Sequence, residues 1–456
     1  IGVGNFHRAH QAMYLHQLFE QGLAHDWAIC GAGIKSFDDV MRNKLAKQNW
    51  LSTVVELEEG NIVAHVCGSM IDFVDVDAAK IIQTMTQDNI KIVSLTITEG
   101  GYFIDPDNGE FDAEHPEIQA DIQAPEAPVT VFGIMIEALK IRRENGSRAF
   151  TIMSCDNIPH NGDVTKKAIL GLAELIEPGL ARWISENVSF PNSMVDCIAP
   201  MVSAESIERI EHLFGVTDNA PVLCESFRQW VLEDNFVNGR PALEKVGVQF
   251  VEDVAPYELM KLRVLNGGHA ALAYPAGLMG IELVHDAMAN QTITAYLEKL
   301  MTDEVIPSLP EVQGIDVHDY LAIIKQRFSN PEIKDTIQRL YQDGQNRLPK
   351  FILPTICDNL DNARSVNGLS LVIALWCKVC MLAHFNMSGI VLFGDDNQAI
   401  IDAALKASDT PEAFIGMSQV FGALSQSPEL LSRFSFWLAM IHRDGVEPTL
   451  QHYINQ

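Results

Sequence analysis

The stretch Ile1-Gly2-Val3-Gly4-Asn5-Phe6-His7-Arg8-Ala9-His10 (IGVGNFHRAH) decides the fold class. Its first residues read as the end of a strand, its glycines as a tight turn, and Phe6 to Gln21 has helical spacing. Glycines in such a turn let the backbone approach a pyrophosphate, which the following helix N-terminus attracts. His7 stands where the third glycine of Gly-x-Gly-x-x-Gly would be, so an ordinary strand–helix turn stays open on this segment alone. The alternation continues downstream. Trp27–Gly31, Lys91–Thr98 (KIVSLTIT), Ala149–Ser154 and Met194–Ala199 read as further strands. The β-branched run of Lys91–Thr98 suits a strand buried on both faces. Strands separated by helical stretches predict an α/β domain with a parallel, doubly wound sheet.

Past residue 250 the texture changes. Val254–Met279, Ala287–Thr302, Ile333–Leu340 and Asn367–Phe385 have helical spacing, and prolines such as Pro307, Pro331 and Pro354 punctuate the connections. The expected division is residues 1–250 as the α/β domain and 251–456 as a mostly α-helical domain.

The 456 residues carry 32 Lys plus Arg against 60 Asp plus Glu, a net charge of −28. Nucleic acid and anionic membranes demand clustered cations and are excluded as partners on that ground. Eight scattered cysteines form no disulfide framework. Cys377 and Cys380 share a helix face within the apolar run Leu369–Phe385; they read as a buried structural pair, with redox or metal chemistry the lesser alternative. That run falls short of a clean membrane span and reads as a core helix. His7 and His10 lack companions for a metal site. No signal peptide is visible, so a cytoplasmic location is expected. The chain opens inside a strand end, and preceding residues in the native protein are expected.

A carboxylate after the second strand would bind the adenosine ribose hydroxyls of a dinucleotide. Asp38 and Asp39 are the candidates, and the neighbouring Lys35 could instead welcome a 2′-phosphate. NAD is therefore expected, with NADP kept open.

The segment Tyr257–His269 (YELMKLRVLNGGH) holds the chemistry. On an ideal helix of ~100° per residue, taking Lys261 as zero, Glu258 falls near 60°, His269 near 80° and Asn266 near 140°. Burial disfavours a charged lysine and so equips it as a base. Glu258 favours the ammonium or relays its proton outward. A solvated face with an ordinary Glu–Lys pair is the bland alternative. Tyr257-x-x-x-Lys261 also matches the catalytic pair of short-chain dehydrogenases, but that family is about half this length and carries a different glycine motif.

Gly2–His10 resembles the N-terminal cofactor motif of the mannitol 2-dehydrogenase family of polyol-specific long-chain dehydrogenases. Ser94–Tyr102 (SLTITEGGY), Ser154–Gly162 (SCDNIPHNG), Phe190–Asp196 (FPNSMVD), Phe227–Asp234 (FRQWVLED) and Pro256–His269 resemble its other blocks in order, and Lys350–Leu360 resembles it more loosely. The resemblance implies a metal-independent nicotinamide oxidoreductase with a Rossmann-type domain followed by a helical domain. It implies Lys261 as general base, Asn157 and Asn266 as an oxyanion hole, and His269 as an orienting group, with Glu258 as proton relay. Gly2, Gly4, Asn5, Phe6, Arg8, Asp38, Thr98 and Glu99 would hold the cofactor. Asp196, and less strongly Arg364, would bind substrate.

Within the family, Glu99-Gly100-Gly101-Tyr102 resembles the mannitol enzymes, whereas the sugar-acid reductases tend to carry lysine after that glutamate. The negative field repels a sugar acid and leaves a neutral polyol indifferent. Oxidation of D-mannitol to D-fructose is therefore the expected reaction, with mannonate/fructuronate or arabinitol chemistry as alternatives. The family implies a monomer. A nucleotide- or sugar-binding regulator on the same fold is the non-enzymatic alternative.

Overall fold

The computed structural model describes residues 1–105, 109–342, 344–384 and 398–456. The chain divides into two compact units, Ile1–Ala255 and Pro256–Gln456.

In the first unit, β1 (Ile29–Gly31) pairs in parallel with β4 (Met70–Phe73), and β5 (Ile92–Leu95) pairs in parallel with β6 (Thr151–Ser154). The extended chain at Ile1–Gly2 lies between these two ladders. Gly2 N donates to Ala32 O at 2.9 Å on one side, and Thr96 N donates to Ile1 O at 3.0 Å on the other. The spatial order is thus β4, β1, the N-terminal segment, β5, β6. Successive elements run outward from the first segment in both directions, which is the doubly wound, Rossmann-type order with its switch point at that segment. The carboxyl ends of these elements are the glycine turn, Ala32–Asp38, Thr96–Glu99 and Cys155–Asn157.

Flanking sheets complete the unit. β2 (Ser52–Leu57) pairs antiparallel with β3 (Val63–Cys67) and parallel with β8 (Val222–Glu225). β9 (Gln229–Glu233) pairs antiparallel with β7 (Ser193–Asp196) and parallel with β10 (Gln249–Val251). The main core sets Val93, Leu95 and Ile152 against Phe132, Leu139, Ile169 and Leu172 from two long helices. One of these, Val131–Asn145, is delimited by its sequence: Thr130 Oγ1 accepts from Gly133 N at 2.9 Å, and Gly146 closes the helix at φ +69°.

The elements are shorter than the sequence patterns suggest, for local reasons. The helical span from Phe6 divides into Asn5–Ala9 and Gln11–Glu20 at His10, whose ring Nε2 meets Gln229 O at 2.9 Å. The strand expected over Lys91–Thr98 ends at Leu95, because the amides of Ile97 and Thr98 turn to the Asp156 carboxylate. The one expected over Met194–Ala199 covers Ser193–Asp196, and Ile198 N turns to Glu225 Oε1.

The second unit is helical. The segment expected as one helix over Val254–Met279 comprises Ala255–Met260, a π-helical turn at Lys261–Asn266, and Gly267–Leu278. The Asn367–Phe385 pattern forms the helix Asn367–His384, Phe385 lying outside the described residues. Its first turn is capped by Glu304, whose buried carboxylate accepts from Gly368 N and Leu369 N at 2.7 and 2.9 Å. Among the described residues this is the one helix long and apolar enough to cross a membrane, and 72% of it is buried inside the protein. Cys377 and Cys380 lie in its buried face, as free thiols.

Candidate active site

The glycine turn is built by contact. Gly2 has φ +87°, and a Cβ there would sit 2.2 Å from Thr96 O. Only glycine allows the N-terminal segment to approach the end of β5 so closely. Gly4 differs: its φ is −80° and a Cβ would meet nothing within 4 Å. The space above Gly4 is open, as the approach of a pyrophosphate requires. Phe6 stacks on His10 with centroids 5.0 Å apart.

Arg8 is placed otherwise than expected. It is buried, one helical turn after Asn5, and its side chain folds back along the helix. Nη2 donates to Asn5 Oδ1 at 2.9 Å and Nη1 donates to Ala220 O. Its guanidinium orients Asn5 and joins two chain segments, and is not directed at the open space above Gly4.

Asp38 opens the helix Asp38–Ala46 and accepts the Lys35 amide at 2.9 Å. The Lys35 ammonium pairs with Glu117 at 3.1 Å. Of the two candidate acids, Asp38 is the half-buried one and Asp39 is exposed.

The CDN block is organised by Asp156. Its carboxylate is buried and accepts from Ile97 N and Thr98 N, both at 2.9 Å, and from Tyr102 OH at 2.6 Å. Burial pushes this carboxyl above its ordinary value, and the three bonds oppose that rise. These bonds hold Thr98 at φ +69°, ψ 161°, a conformation that is almost exclusively glycine's. Thr98, Glu99 and Asn157 follow this anchor on exposed backbone. Asn161 ties the same block to β7: its amide donates to Asp156 O and Ser193 O, and its oxygen accepts from Ser193 N. The buried Asp196, at the end of β7, is thereby held on the same frame as Asn157.

A cavity of about 200 Å³ in this unit is lined by His7, Gln11, Trp27, Lys91 and Trp230, among others. Its lining runs from Trp27, Ala28 and Lys91, before β1 and β5, to Ile1, His7 and Ala32 beside the glycine turn.

In the second unit, Glu258, Lys261, Asn266 and His269 share one continuous helical segment. Glu258, Lys261 and His269 are buried and Asn266 is half-buried. The π turn alters the expected geometry. Gly267 N bonds Leu262 O, five residues back. Residues five apart then lie roughly 60° apart instead of ~140°, and His269 comes round to nearly the direction of Lys261. The Tyr257 hydroxyl donates to Gln313 O at 2.7 Å.

His269 stacks on Phe328 with centroids 4.0 Å apart and planes 18° apart. Burial drives its pKa well below the ordinary value, and Arg347, Arg339 and Arg327 add to this. Its ring is therefore neutral near pH 7. These arginines were not singled out from sequence, where nothing distinguishes them from surface cations. Arg364, which was, donates to Asn359 Oδ1 at 3.1 Å and Pro307 O at 2.9 Å. It closes the carbonyl end of the helix Leu353–Asp361 and is not among the cations acting on His269. No group of three or more His, Cys, Asp or Glu suited to a metal occurs among the described residues.

The fold and the comparisons with known proteins define a nicotinamide-dependent oxidoreductase acting on CH–OH groups, with a Rossmann-type N-terminal domain and a helix-rich C-terminal one. Residues 1–245 match the mannitol dehydrogenase Rossmann domain, and residues 253–441 match the mannitol dehydrogenase C-terminal domain. The chain belongs to the mannitol dehydrogenase family. It is 49% identical to a mannitol 2-dehydrogenase of Cereibacter sphaeroides over 100% of this chain and 95% of that protein. It is similar to the solved Pseudomonas fluorescens mannitol 2-dehydrogenase ternary complex with NAD and D-mannitol (42% identity, TM-score 0.85, 100% and 93% coverage). It is also similar to a D-sorbitol dehydrogenase in substrate-free form (36% identity, TM-score 0.90, 98% and 93% coverage).

Proposed function

We propose that the chain oxidises the C2 hydroxyl of D-mannitol to the ketone of D-fructose, reversibly, with NAD. The observation that carries this reading is the buried Lys261 on a π turn that aligns Asn266 and His269 with it, in a chain similar along its whole length to mannitol 2-dehydrogenases.

Bound NAD supplies the acceptor for the C2 hydride. The open turn at Gly4, Thr98 and Glu99 beyond the Asp156 anchor, and the carboxylate of Asp38 are the residues we assign to holding it. Lys35 is already paired with Glu117, which supports NAD over NADP.

Lys261, in its neutral form, takes the proton from the substrate hydroxyl, and Glu258 passes it outward. The side-chain amides of Asn266 and Asn157 donate to the oxygen as it gains charge, each contributing about 3–4 kcal/mol where such donors have been removed in other enzymes. The neutral His269 ring, held flat by Phe328, orients substrate oxygen or lysine. Asp196 accepts from a further hydroxyl of the chain.

Turnover of mannitol, sorbitol, arabinitol and mannonate with NAD and NADP tests this, alongside Lys261→Ala and Tyr257→Phe. Mannitol with NAD should have the highest kcat/KM, Lys261→Ala should be nearly inactive, and Tyr257→Phe should keep its turnover. A tenfold preference for mannonate, or an active Lys261→Ala enzyme, overturns the assignment.

A further inference from the structure

Among the described residues of the second unit there are two π turns, Lys261–Asn266 and Met301–Val305, and they pack against each other. Isolated π turns are rare and persist only where something holds them. One side chain links both. Arg263, from the middle of the first turn, is 5% exposed. Its Nη1 donates to Ser308 O at 3.0 Å and Ser308 Oγ at 2.7 Å, and Ser308 Oγ in turn donates to Val305 O at 2.6 Å, at the end of the second turn. Its Nη2 pairs with Asp358 Oδ2 on the helix Leu353–Asp361. The guanidinium fork therefore fixes its own turn against two separate segments, and these contacts do not involve Lys261, Asn266 or His269.

We propose that Arg263 is a positioning residue for catalysis: it holds Lys261–Asn266 in the π form, and that form places Lys261 and Asn266 on one side. The inference rests on the reading of these two as base and oxyanion donor. Relaxation to an ideal α-helix would swing them from roughly 60° to ~140° apart. A displacement of that size at the reacting groups slows the chemical step without touching the cofactor domain.

The experiment is steady-state kinetics of the 456-residue chain with its best polyol and NAD, on Arg263→Met, Arg263→Lys, Asp358→Asn and the Arg263→Met/Asp358→Asn pair, each corrected for folded fraction. Arg263→Met should lower kcat at least 20-fold, leave KM for NAD within twofold, and shift the apparent pKa of the kcat profile by half a unit or more. Arg263→Lys should recover part of the loss. Asp358→Asn should lower kcat about fivefold, and the double variant should be no worse than Arg263→Met, because the two act as a unit. If Arg263→Met does not fold, Asp358→Asn carries the test through the same readouts. A folded Arg263→Met or Asp358→Asn enzyme with kcat within twofold of the parent and an unmoved pH profile overturns the inference, as does a structure of Arg263→Met in which Lys261–Asn266 stays π-helical. An active Lys261→Ala overturns the site reading instead, so the two failures are distinguishable.

Discussion

Replacing Asp156 by asparagine tests how the backbone that we assign to cofactor binding is held. One carboxylate oxygen accepts from Ile97 N and Tyr102 OH, the other from Thr98 N. An amide offers one oxygen, and its best orientation keeps the first pair and turns NH2 towards the Thr98 N–H. One charge-assisted bond is lost, about 1.5–3 kcal/mol, with a buried donor left facing a donor. The remaining two bonds weaken as the charge goes. Against this, burial raises the Asp156 carboxyl above its ordinary value, so part of the charge's burial cost is returned in the variant. The net expected loss is about 2 kcal/mol, a Tm shift of roughly 4–8 °C for a unit of this size. The local effect is larger in consequence. Without its acceptor, Thr98 leaves a conformation that costs about 1–3 kcal/mol to hold, and the loop carrying Glu99 moves. NADH titration by fluorescence should show weakening of at least tenfold. Tyr102→Phe, which removes the hydroxyl's bonds to Asp156 and to Ser154 Oγ, should cost about 1–3 kcal/mol and leave NADH affinity nearly unchanged. An Asp156→Asn protein with an unshifted urea midpoint and NADH affinity within twofold of the parent refutes the anchor.

Other expectations follow from single contacts. Gly2→Ala places a methyl 2.2 Å from Thr96 O at positive φ and should cost about 2–4 kcal/mol by urea unfolding. Gly4→Ala meets no protein atom and should leave the midpoint nearly unchanged while weakening NADH binding; the reverse pattern refutes the assignment of the open turn. Burial takes His7 down to about 3 and His269 well below its ordinary value. The unfolded chain binds those protons near 6.5 and the folded one does not, so stability is full above pH 6.5 and falls towards pH 3. A loss of about 2–3 kcal/mol between pH 7.5 and 5.5 is expected, and a flat profile contradicts it. Phe328→Ala removes the ring under His269 and should cost about 3–5 kcal/mol. It should also lower kcat more than KM for NAD; equal effects on both would count against a positioning role.

What the sequence determined by itself is the period of its patterns and the spacing of its chemistry. Glycines after a strand, β-branched runs between helical stretches, and Lys261 with Asn266 and His269 are local properties of neighbouring residues, and they marked both the doubly wound domain and the helix to which we assign the chemistry. Even the five-residue interval from Lys261 to Asn266 suits a π turn better than an α-helix, a cue visible only once such a turn is considered. Tertiary structure decided whatever depends on residues distant in the chain. The strand over Lys91–Thr98 stops early because Asp156, some sixty residues on, takes its amides. Arg8 turns inward because Ala220 lies within its reach. The cations that act on His269 are Arg347, Arg339 and Arg327, and Arg364 is bound to its own turn. Hydrogen bonds and charges act over a few ångströms regardless of sequence separation, so their partners are set only when the chain has folded.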